Sequence, residues 1–383
     1  MNTTNLHVGE WVEVRSREEI LATLDTNAQL DSLPFMPEML EYCGKRFEVY
    51  RRAHKTCDTV NDYKGRKLEA AVHLVGVRCN GKAHGGCEAG CLIFWKDAWL
   101  KRESNLNTAS SVPSYPGSDQ PSPLKTVCSE ENLSRSVVRG EPESDPTYIC
   151  QATQVPSATT PLPWWQLSQY VEDYTSGNAS LARILFGFIY SSYVNISNLG
   201  IGIGQPMRWA YDIFQQIVGG IPYPRHRGSI PKGGRTPHEE LNLAPGELVR
   251  VKSYVDILAT LDTDNKNRGL YFDAEYVPYC GAISKVLRRV TVIVNEKTGK
   301  LLRFKTPAVI LEDVFCRSRY SHDRMFCPRS IYAYWREIWL ERVDGTTLIE
   351  SVQEYKCHSE IEQTPPVICV LEDKSSIGPR TCS

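Results

Sequence analysis

The chain contains the same 44-residue segment twice, and this duplication constrains its fold more than any other feature. Residues 9–52 and 246–289 align without a gap at an offset of 237, and 21 of the 44 aligned residues are identical. The run ILATLDT occurs in both copies, and WKDAWL at 95–100 is echoed by WREIWL at 335–340. The sequence therefore predicts two domains of one fold, separated by a long middle segment.

Each copy alternates short β runs with turn residues, which is the pattern of a small barrel. The opening Gly-Glu-x-Val-x-Val and the close strand spacing resemble SH3-like barrels. Ser16 and Glu19 have the spacing of a capping box, which predicts a short helix after the first strand. We therefore predict a mainly β protein with a helical connector (α+β), in which two tandem SH3-like small β-barrels are related by internal duplication.

Composition changes along the chain divide it into five predicted segments. Residues rich in Ser and Pro indicate a linker, and apolar residues at helical spacing indicate helices, one of them capped by Asn178. The predicted segments are a first SH3-like barrel with the Cys/His cluster at 1–103, a Ser/Pro-rich linker with a short ordered segment at 104–162, a helical connector at 163–235, a second SH3-like barrel at 236–345 and a polar tail at 346–383.

The net charge and the amino terminus narrow the choice of partners and compartment. The formal net charge is −1, so no overall positive field favours nucleic acid, and we expect no nucleic-acid partner. The first residues lack the basic and apolar regions of a secretory signal, which favours a cytoplasmic location. In that setting, 13 cysteines indicate thiols and metal ligands more than disulfides.

A cluster of cysteine and histidine residues is confined to the first copy. Between residues 79 and 91 the chain carries three thiols, one imidazole and four glycines, and His54 and Cys57 add an upstream pair. Thiolate and imidazole are ligands of zinc, and thiolates hold iron–sulfur clusters. The sequence predicts a site for zinc or for an iron–sulfur cluster without deciding between them. Its candidate ligands are His54, Cys57, Cys79, His84, Cys87 and Cys91.

Two other interpretations of these cysteines remain open. Several thiols can be small buried apolar side chains, as we expect for Cys43 and Cys280, which occupy the same turn in both copies. Alternatively, His54 beside Cys87 or Cys91 would make a reactive thiolate, which predicts an enzyme. No Walker loop, nucleophile elbow or His-Glu-x-x-His motif supports a specific reaction.

The uncharged segment 184–204 is near the length of a bilayer span, but serines, asparagines and glycines dilute its hydrophobicity. A helix packed between the two domains is the favoured interpretation. The alternative is an interfacial segment that contacts a protein partner or, less favoured, a membrane surface. The connector is thus the expected site for a protein partner.

The motifs HGGCEAGCLIFWKDAWL, YICQAT, ILATLDT and FCPRSIYAYWREIWLERV resemble an uncharacterised bacterial protein family over nearly the whole chain. The resemblance implies the two-repeat architecture and a bacterial cytoplasmic setting, and it implies no activity. The leading prediction is an accessory or biosynthetic protein whose first barrel binds a metal or a cluster. An enzyme that uses the metal or a reactive cysteine and a metal-free interaction scaffold are the alternatives.

Overall fold

The structure, a computed structural model, describes residues 5–102, 128–140, 145–199 and 202–343. It combines helices with small sheets in which every strand pair among these residues is antiparallel. The predicted α+β class is confirmed at this level. Most of the predicted linker and the predicted tail lie outside the described residues.

The first repeat is built around a five-stranded sheet. Its strands lie in the order β8 (Trp95–Lys96), β7 (Ala71–Leu74), β4 (Arg46–Arg52), β1 (Trp11–Val14) and β9 (Leu100–Arg102). Its first strand pairs with both β4 and β9, so the beginning and end of the repeat meet in one sheet. The elements are β1 (Trp11–Val14), α1 (Arg17–Leu21), β2 (Gln29–Leu30), β3 (Leu33–Pro34), a 3₁₀ helix (Pro37–Tyr42), β4 (Arg46–Arg52), β5 (Lys55–Cys57), β6 (Gly65–Lys67), β7 (Ala71–Leu74), β8 (Trp95–Lys96), a 3₁₀ helix (Asp97–Trp99) and β9 (Leu100–Arg102).

In the part that the structure describes, the middle segment combines helices with three short strands. Its elements are α2 (Glu130–Ser136), β10 (Val138–Arg139), β11 (Thr147–Tyr148), α3 (Val155–Ala158), β12 (Thr160–Pro161), α4 (Ser168–Thr175), α5 (Leu181–Ser197) and α6 (Gly204–Val218). The cap of α5 is Ser180, whose side chain accepts from Arg183 N, and not the predicted Asn178. The Asn178 amide instead pairs with the backbone N and O of Arg52, because it lies against the end of β4.

The second repeat is built around a four-stranded sheet in the order β17 (Leu301–Leu311), β16 (Ile283–Val294), β13 (Leu248–Val251) and β18 (Leu340–Arg342), and among the described residues it has no separate counterpart of β5, β6 or β8. The elements are β13 (Leu248–Val251), α7 (Tyr254–Ala259), β14 (Lys266–Asn267), β15 (Leu270–Tyr271), a 3₁₀ helix (Ala274–Tyr279), β16 (Ile283–Val294), β17 (Leu301–Leu311), 3₁₀ helices (His322–Arg324 and Glu337–Trp339) and β18 (Leu340–Arg342). The register of β16 with β17, Val286 opposite Leu311, reproduces that of β4 with β7, Val49 opposite Leu74.

Helix caps explain why both repeats form a helix at the same point. Ser16 accepts from Glu19 N at 3.3 Å, and the Glu19 carboxylate accepts from Ser16 N at 2.9 Å, so the predicted capping box is confirmed. Ser253 accepts from Asp256 N at 3.2 Å in the second repeat. Each cap satisfies amides that have no partner within the helix and fixes where the chain leaves the first strand.

Each repeat has its own apolar core, centred on a pair of tryptophans. Trp95 and Trp99 in the first repeat and Trp335 and Trp339 in the second are fully buried. These four come from the sequence echo WKDAWL and WREIWL. Burying aromatic side chains of this size supplies a large share of the apolar stabilisation in a small domain. The duplicated sequence thus builds two separate cores, and the cysteine loop of the first repeat lies where the repeats meet.

Contacts across the junction hold this loop in place. Glu88 N donates to Val292 O at 2.9 Å, and the Glu88 carboxylate accepts from Val292 N at 3.0 Å. The Arg78 guanidinium lies over the Tyr332 ring at 3.9 Å from its centre. The loop of the first repeat therefore packs on strand β16 of the second.

Many apolar side chains of the connector are exposed, whereas the sequence favoured a helix packed between the domains. Helix α6 contains no buried residue, and Phe186 and Ile189 of α5 are 70% and 65% exposed. Ile184 and Val194 of α5 are buried, so that helix packs by one face only. Within the described residues, no helix combines the length and the apolar character needed to cross a bilayer.

Candidate metal site

The loop from Cys79 to Cys91 folds back on itself, which brings its chemical groups together. Cys79 N donates to Cys91 O at 2.8 Å, and His84 N donates to Gly81 O at 2.9 Å. Gly81 has a φ of +71°, and a Cβ atom at this position would collide with the backbone of Cys87. A glycine is therefore required at 81 for the loop to close.

Three different donor groups converge at the base of this loop. The carboxylate of Glu38, the thiol of Cys79 and the imidazole of His84 have ligand atoms that all lie within 4.8 Å of one another. Cys79 Sγ donates to Glu38 Oε1 at 3.0 Å, and His84 Nδ1 lies 3.2 Å from the same oxygen. Glu38 belongs to the 3₁₀ helix Pro37–Tyr42, so the triad joins the loop to the core of the first repeat.

The histidine is oriented as a ligand. Its Nε2 lies 3.1 Å from the carbonyl oxygen of Ile149, which can only accept, so the proton belongs on Nε2. The lone pair of Nδ1 then faces the Glu38 carboxylate. Metal-binding histidines commonly donate their other ring N–H to a backbone carbonyl in this way. Ile149 of the middle segment thus fixes the ring that the loop supplies.

Two atoms of the triad are buried without a hydrogen-bond partner. They are Glu38 Oε2 and His84 Nδ1. The Glu38 side chain is 3% exposed and that of His84 is 1% exposed, so bulk water does not solvate either group. Buried polar atoms nearly always have a partner, and exceptions point to a water or an ion. The arrangement fits a cation bound among the three donors.

The pKa shifts of the triad follow from this burial. Burial alone raises the pKa of Glu38, but the His84 imidazole, when Nδ1 carries a proton in place of a bound cation, and the Cys79 thiol hold it below its usual value. Burial, together with the Glu38 charge, raises the pKa of Cys79 far above that of a free thiol. Cys79 therefore becomes a thiolate only when a cation replaces its proton, which couples metal binding to proton release.

Four thiols line one cavity of about 30 Å³ beside the triad. The cavity is large enough for about two water molecules. His84 and the Arg329 side chain also line it, and its thiols are Cys79, Cys87, Cys91 and Cys150. Burial raises the pKa of the Cys91 thiol and raises that of Cys150 to about 12.

A backbone N–H group points at one of these sulfurs. Val294 N donates to Cys87 Sγ at 3.2 Å. The backbones of Gly81 and Thr153 oppose, in part, the rise that burial causes in the pKa of Cys79 and Cys150 respectively. Hydrogen bonds of this kind favour the thiolate form, because the donor stabilises negative charge on sulfur. The cavity is thus equipped to stabilise thiolates bound to a metal.

The structure brings together four of the six predicted ligands. Cys79, His84, Cys87 and Cys91 line the cavity, whereas His54 and Cys57 do not. His54 Nε2 lies 3.3 Å from Asp173 Oδ1 in helix α4. The backbone carbonyl of Cys57 accepts from Arg329 at 3.2 Å. Strand β5 begins just after His54 and ends at Cys57. It faces helix α4 and the second repeat instead of the cysteine loop.

Neither Glu38 nor Cys150 is among the six ligands predicted from the sequence. Glu38 has an identical counterpart, Glu275, which made it look purely structural. The sequence signal for Glu38 was that a glutamate lies four residues before the Tyr-Cys-Gly motif in both copies. Cys150 lies far from the loop in sequence and reaches the cavity through the fold of the middle segment.

Glu275 of the second repeat shows what the same carboxylate does without the thiol–imidazole pair. Its oxygens accept from Arg319 N at 2.8 Å, Tyr320 N at 2.6 Å and Ser321 Oγ at 3.3 Å. Ser321 stands at the position of His84, at the same offset of 237. Both oxygens of Glu275 therefore have partners within the protein.

Comparison of the chain with family models, with curated proteins and with solved structures finds no match.

Proposed function

We propose that this protein binds one zinc ion in its first repeat, through Glu38, Cys79 and His84. The observation that carries the proposal is the convergence of a carboxylate, a thiol and an imidazole around two buried atoms without partners. Sulfur, nitrogen and oxygen donors in one site suit zinc, which accepts all three. Calcium and magnesium prefer oxygen ligands alone, so the donor set disfavours them.

Three protein ligands leave one position of a tetrahedral zinc ion open. The cavity lined by Cys87, Cys91 and Cys150 is also lined by two of the three proposed ligands, Cys79 and His84. A water molecule or the Cys91 thiolate is a suitable fourth ligand. Cys91 would close the site and make it structural, whereas water would leave it exchangeable. The proposed zinc would fasten the loop to the core of the first repeat at the junction with the second.

An iron–sulfur cluster is the second candidate, and a separate observation favours it. The four thiols around the cavity match the usual number of cluster ligands, and Cys87 accepts a backbone N–H group, as cluster sulfurs commonly do. Compared with the thiols predicted from the sequence, Cys150 replaces Cys57 in this set. In this alternative Glu38 and His84 do not bind the metal.

For the fold, we infer that each repeat is an SH3-like barrel. The early capped helix, the short antiparallel strands and the pairing of the first strand with the last support this inference. It concerns architecture only, because one fold supports many functions.

Metal analysis of the anaerobically purified full-length protein tests the proposal. We expect close to one zinc per chain, and we expect Cys79→Ser to lose it, because a hydroxyl is a much poorer zinc ligand than a thiolate. The matched control is Cys316→Ser at the equivalent position of the second repeat, where zinc should be retained.

Iron with sulfide and a brown colour would select the cluster, and Cys150→Ser should then abolish it. A protein with neither zinc nor iron would overturn both candidates.

A further inference from the structure

A second pair of thiols lies outside the metal site, where the two repeats touch. Cys57 ends strand β5 of the first repeat, and Cys327 follows the 3₁₀ helix His322–Arg324 of the second. The two side chains lie close enough for each thiol to shift the pKa of the other. They are 3% and 6% exposed. Neither lines the cysteine cavity.

The backbone holds the two cysteines together independently of their side chains. Arg329 Nη1 donates to the carbonyl oxygen of Cys57 at 3.2 Å and to Thr59 Oγ1 at 2.7 Å. Gly65, opposite Cys57 in the β5–β6 pair, lies so close to Asp323 that an added Cβ would be 3.0 Å from its carbonyl oxygen. Segment 323–329 therefore packs on strands β5 and β6. Its Arg329 end contacts Cys57, and its Asp323 end contacts Gly65 on the neighbouring strand.

The charges around the pair favour unequal roles for the two sulfurs. The neighbouring Cys327 thiol, helped by Arg329 and Arg324, holds the pKa of Cys57 below that of a free thiol although burial opposes it. The Cys57 side chain and burial raise the pKa of Cys327. Two guanidinium groups beside a thiol are a typical setting for a reactive thiolate. Cys57 is therefore the nucleophile and Cys327 its neighbour in the thiol form.

We infer that Cys57 and Cys327 are a redox-active dithiol, which hydrogen peroxide converts into a disulfide joining the two repeats. In the first step the Cys57 thiolate attacks one peroxide oxygen, the O–O bond breaks, and Cys57 sulfenic acid and hydroxide form. In the second step the Cys327 sulfur, losing its proton, attacks the Cys57 sulfur. The S–S bond forms, the S–O bond breaks and water leaves, so two electrons pass from the dithiol to the peroxide.

The disulfide would fasten strand β5 to the loop that carries Arg329, next to the cysteine cavity. Arg329 donates to Cys57 O and also lines that cavity. The dithiol therefore lies beside the proposed metal site without supplying a ligand to it. A thiol reductant would restore the two thiols.

Mass spectrometry of the full-length protein tests this inference. The reduced protein is treated with hydrogen peroxide, the remaining thiols are alkylated, and the peptides are analysed after proteolysis. We expect a linked peptide pair containing Cys57 and Cys327 that dithiothreitol separates. Cys327→Ser should instead leave a Cys57 sulfenic acid that dimedone traps, and Cys43→Ser should keep the linked pair.

The unsubstituted protein gives the decisive result, so a variant that folds poorly does not obscure it. Recovery of Cys57 and Cys327 as alkylated thiols, while other cysteines are oxidised, would overturn the inference. A Cys57 sulfonic acid without any disulfide would also overturn it. Zinc measured on Cys57→Ser should equal that of the unsubstituted protein, which separates this test from that of the metal site.

Discussion

The two repeats share a buried glutamate, and they satisfy it in different ways. In the second repeat Glu275 accepts from two backbone amides and a serine hydroxyl. In the first repeat Glu38 faces a thiol and an imidazole, and its Oε2 atom has no partner. The duplicated fold therefore supplies the same carboxylate twice, but only the first copy surrounds it with donors that suit a metal.

This difference shows that one buried glutamate can serve the fold in one repeat and offer a metal ligand in the other, because only its neighbours have changed. Burying a carboxylate costs free energy unless hydrogen bonds or a cation compensate. The second repeat compensates with two backbone amides and a serine hydroxyl of residues 319–321. The first repeat has Ala83 and His84 in the corresponding part of its loop, and we propose that zinc compensates there. The three extra residues between Cys316 and Cys327 accompany this change.

The largest stability difference that we expect between the repeats concerns His73, which stands where the second repeat has Ile310. Both are buried on equivalent strands, opposite Arg51 and Arg288 respectively. Burial lowers the pKa of His73 to about 3, although its hydrogen bond to Ile93 O opposes this. The folded protein therefore keeps the imidazole neutral while the unfolded chain binds a proton below about pH 6.5.

Because the unfolded state binds more protons, stability falls as the pH drops from about 6.5 toward 3. Between pH 6.5 and 4 the loss from His73 is about 3 kcal/mol. His73→Ile, which copies the second repeat, should remove this part of the pH dependence and cost about 1–2 kcal/mol at all pH values for the lost hydrogen bond. Urea unfolding curves across this pH range measure both effects. Parallel curves for the two proteins would contradict the prediction.

A smaller loss of stability should be equal in the two repeats when the threonine that accepts from a buried tryptophan is removed. Trp99 Nε1 donates to Thr23 Oγ1 at 3.1 Å, and Trp339 Nε1 donates to Thr260 Oγ1 at 2.9 Å. Thr23→Val and Thr260→Val each remove this acceptor and leave a buried indole N–H without it. We expect each to lower the free energy of unfolding by about 1 kcal/mol.

Thermal or urea unfolding of the two threonine variants gives the comparison. A loss in one repeat that exceeds the other by more than about 1 kcal/mol would show that the cores are not equivalent.

The sequence predicted the parts of the fold that both copies repeat. The capping serines recur at an offset of 237 and the paired tryptophans at an offset of 240, and these local signals act over a few residues. The sequence also predicted the loop with Cys79, His84, Cys87 and Cys91, because its donors and glycines are adjacent in the chain. The structure places these four residues around one cavity, while their binding of a metal stays a proposal.

The remaining parts of the site depend on contacts that span the chain. His54 and Cys57 are close in sequence to one another, yet their strand faces helix α4 and the second repeat, and its direction is set by packing. Cys150 reaches the cavity because the middle segment folds over the loop. Glu38 was hidden by its identity with Glu275, since an identical residue indicates a shared structural need even where its neighbours give it another use.

X-ray absorption at the zinc edge of the anaerobically purified protein tests the central claim most directly, because it reads the ligands around the metal. The account predicts one sulfur at about 2.3 Å and nitrogen or oxygen neighbours at about 2.0–2.2 Å, or two sulfurs if Cys91 is the fourth ligand. Glu38→Gln should lose the zinc, and Glu275→Gln should keep the same spectrum. A shell of four sulfurs, or a protein that binds no zinc, would contradict it.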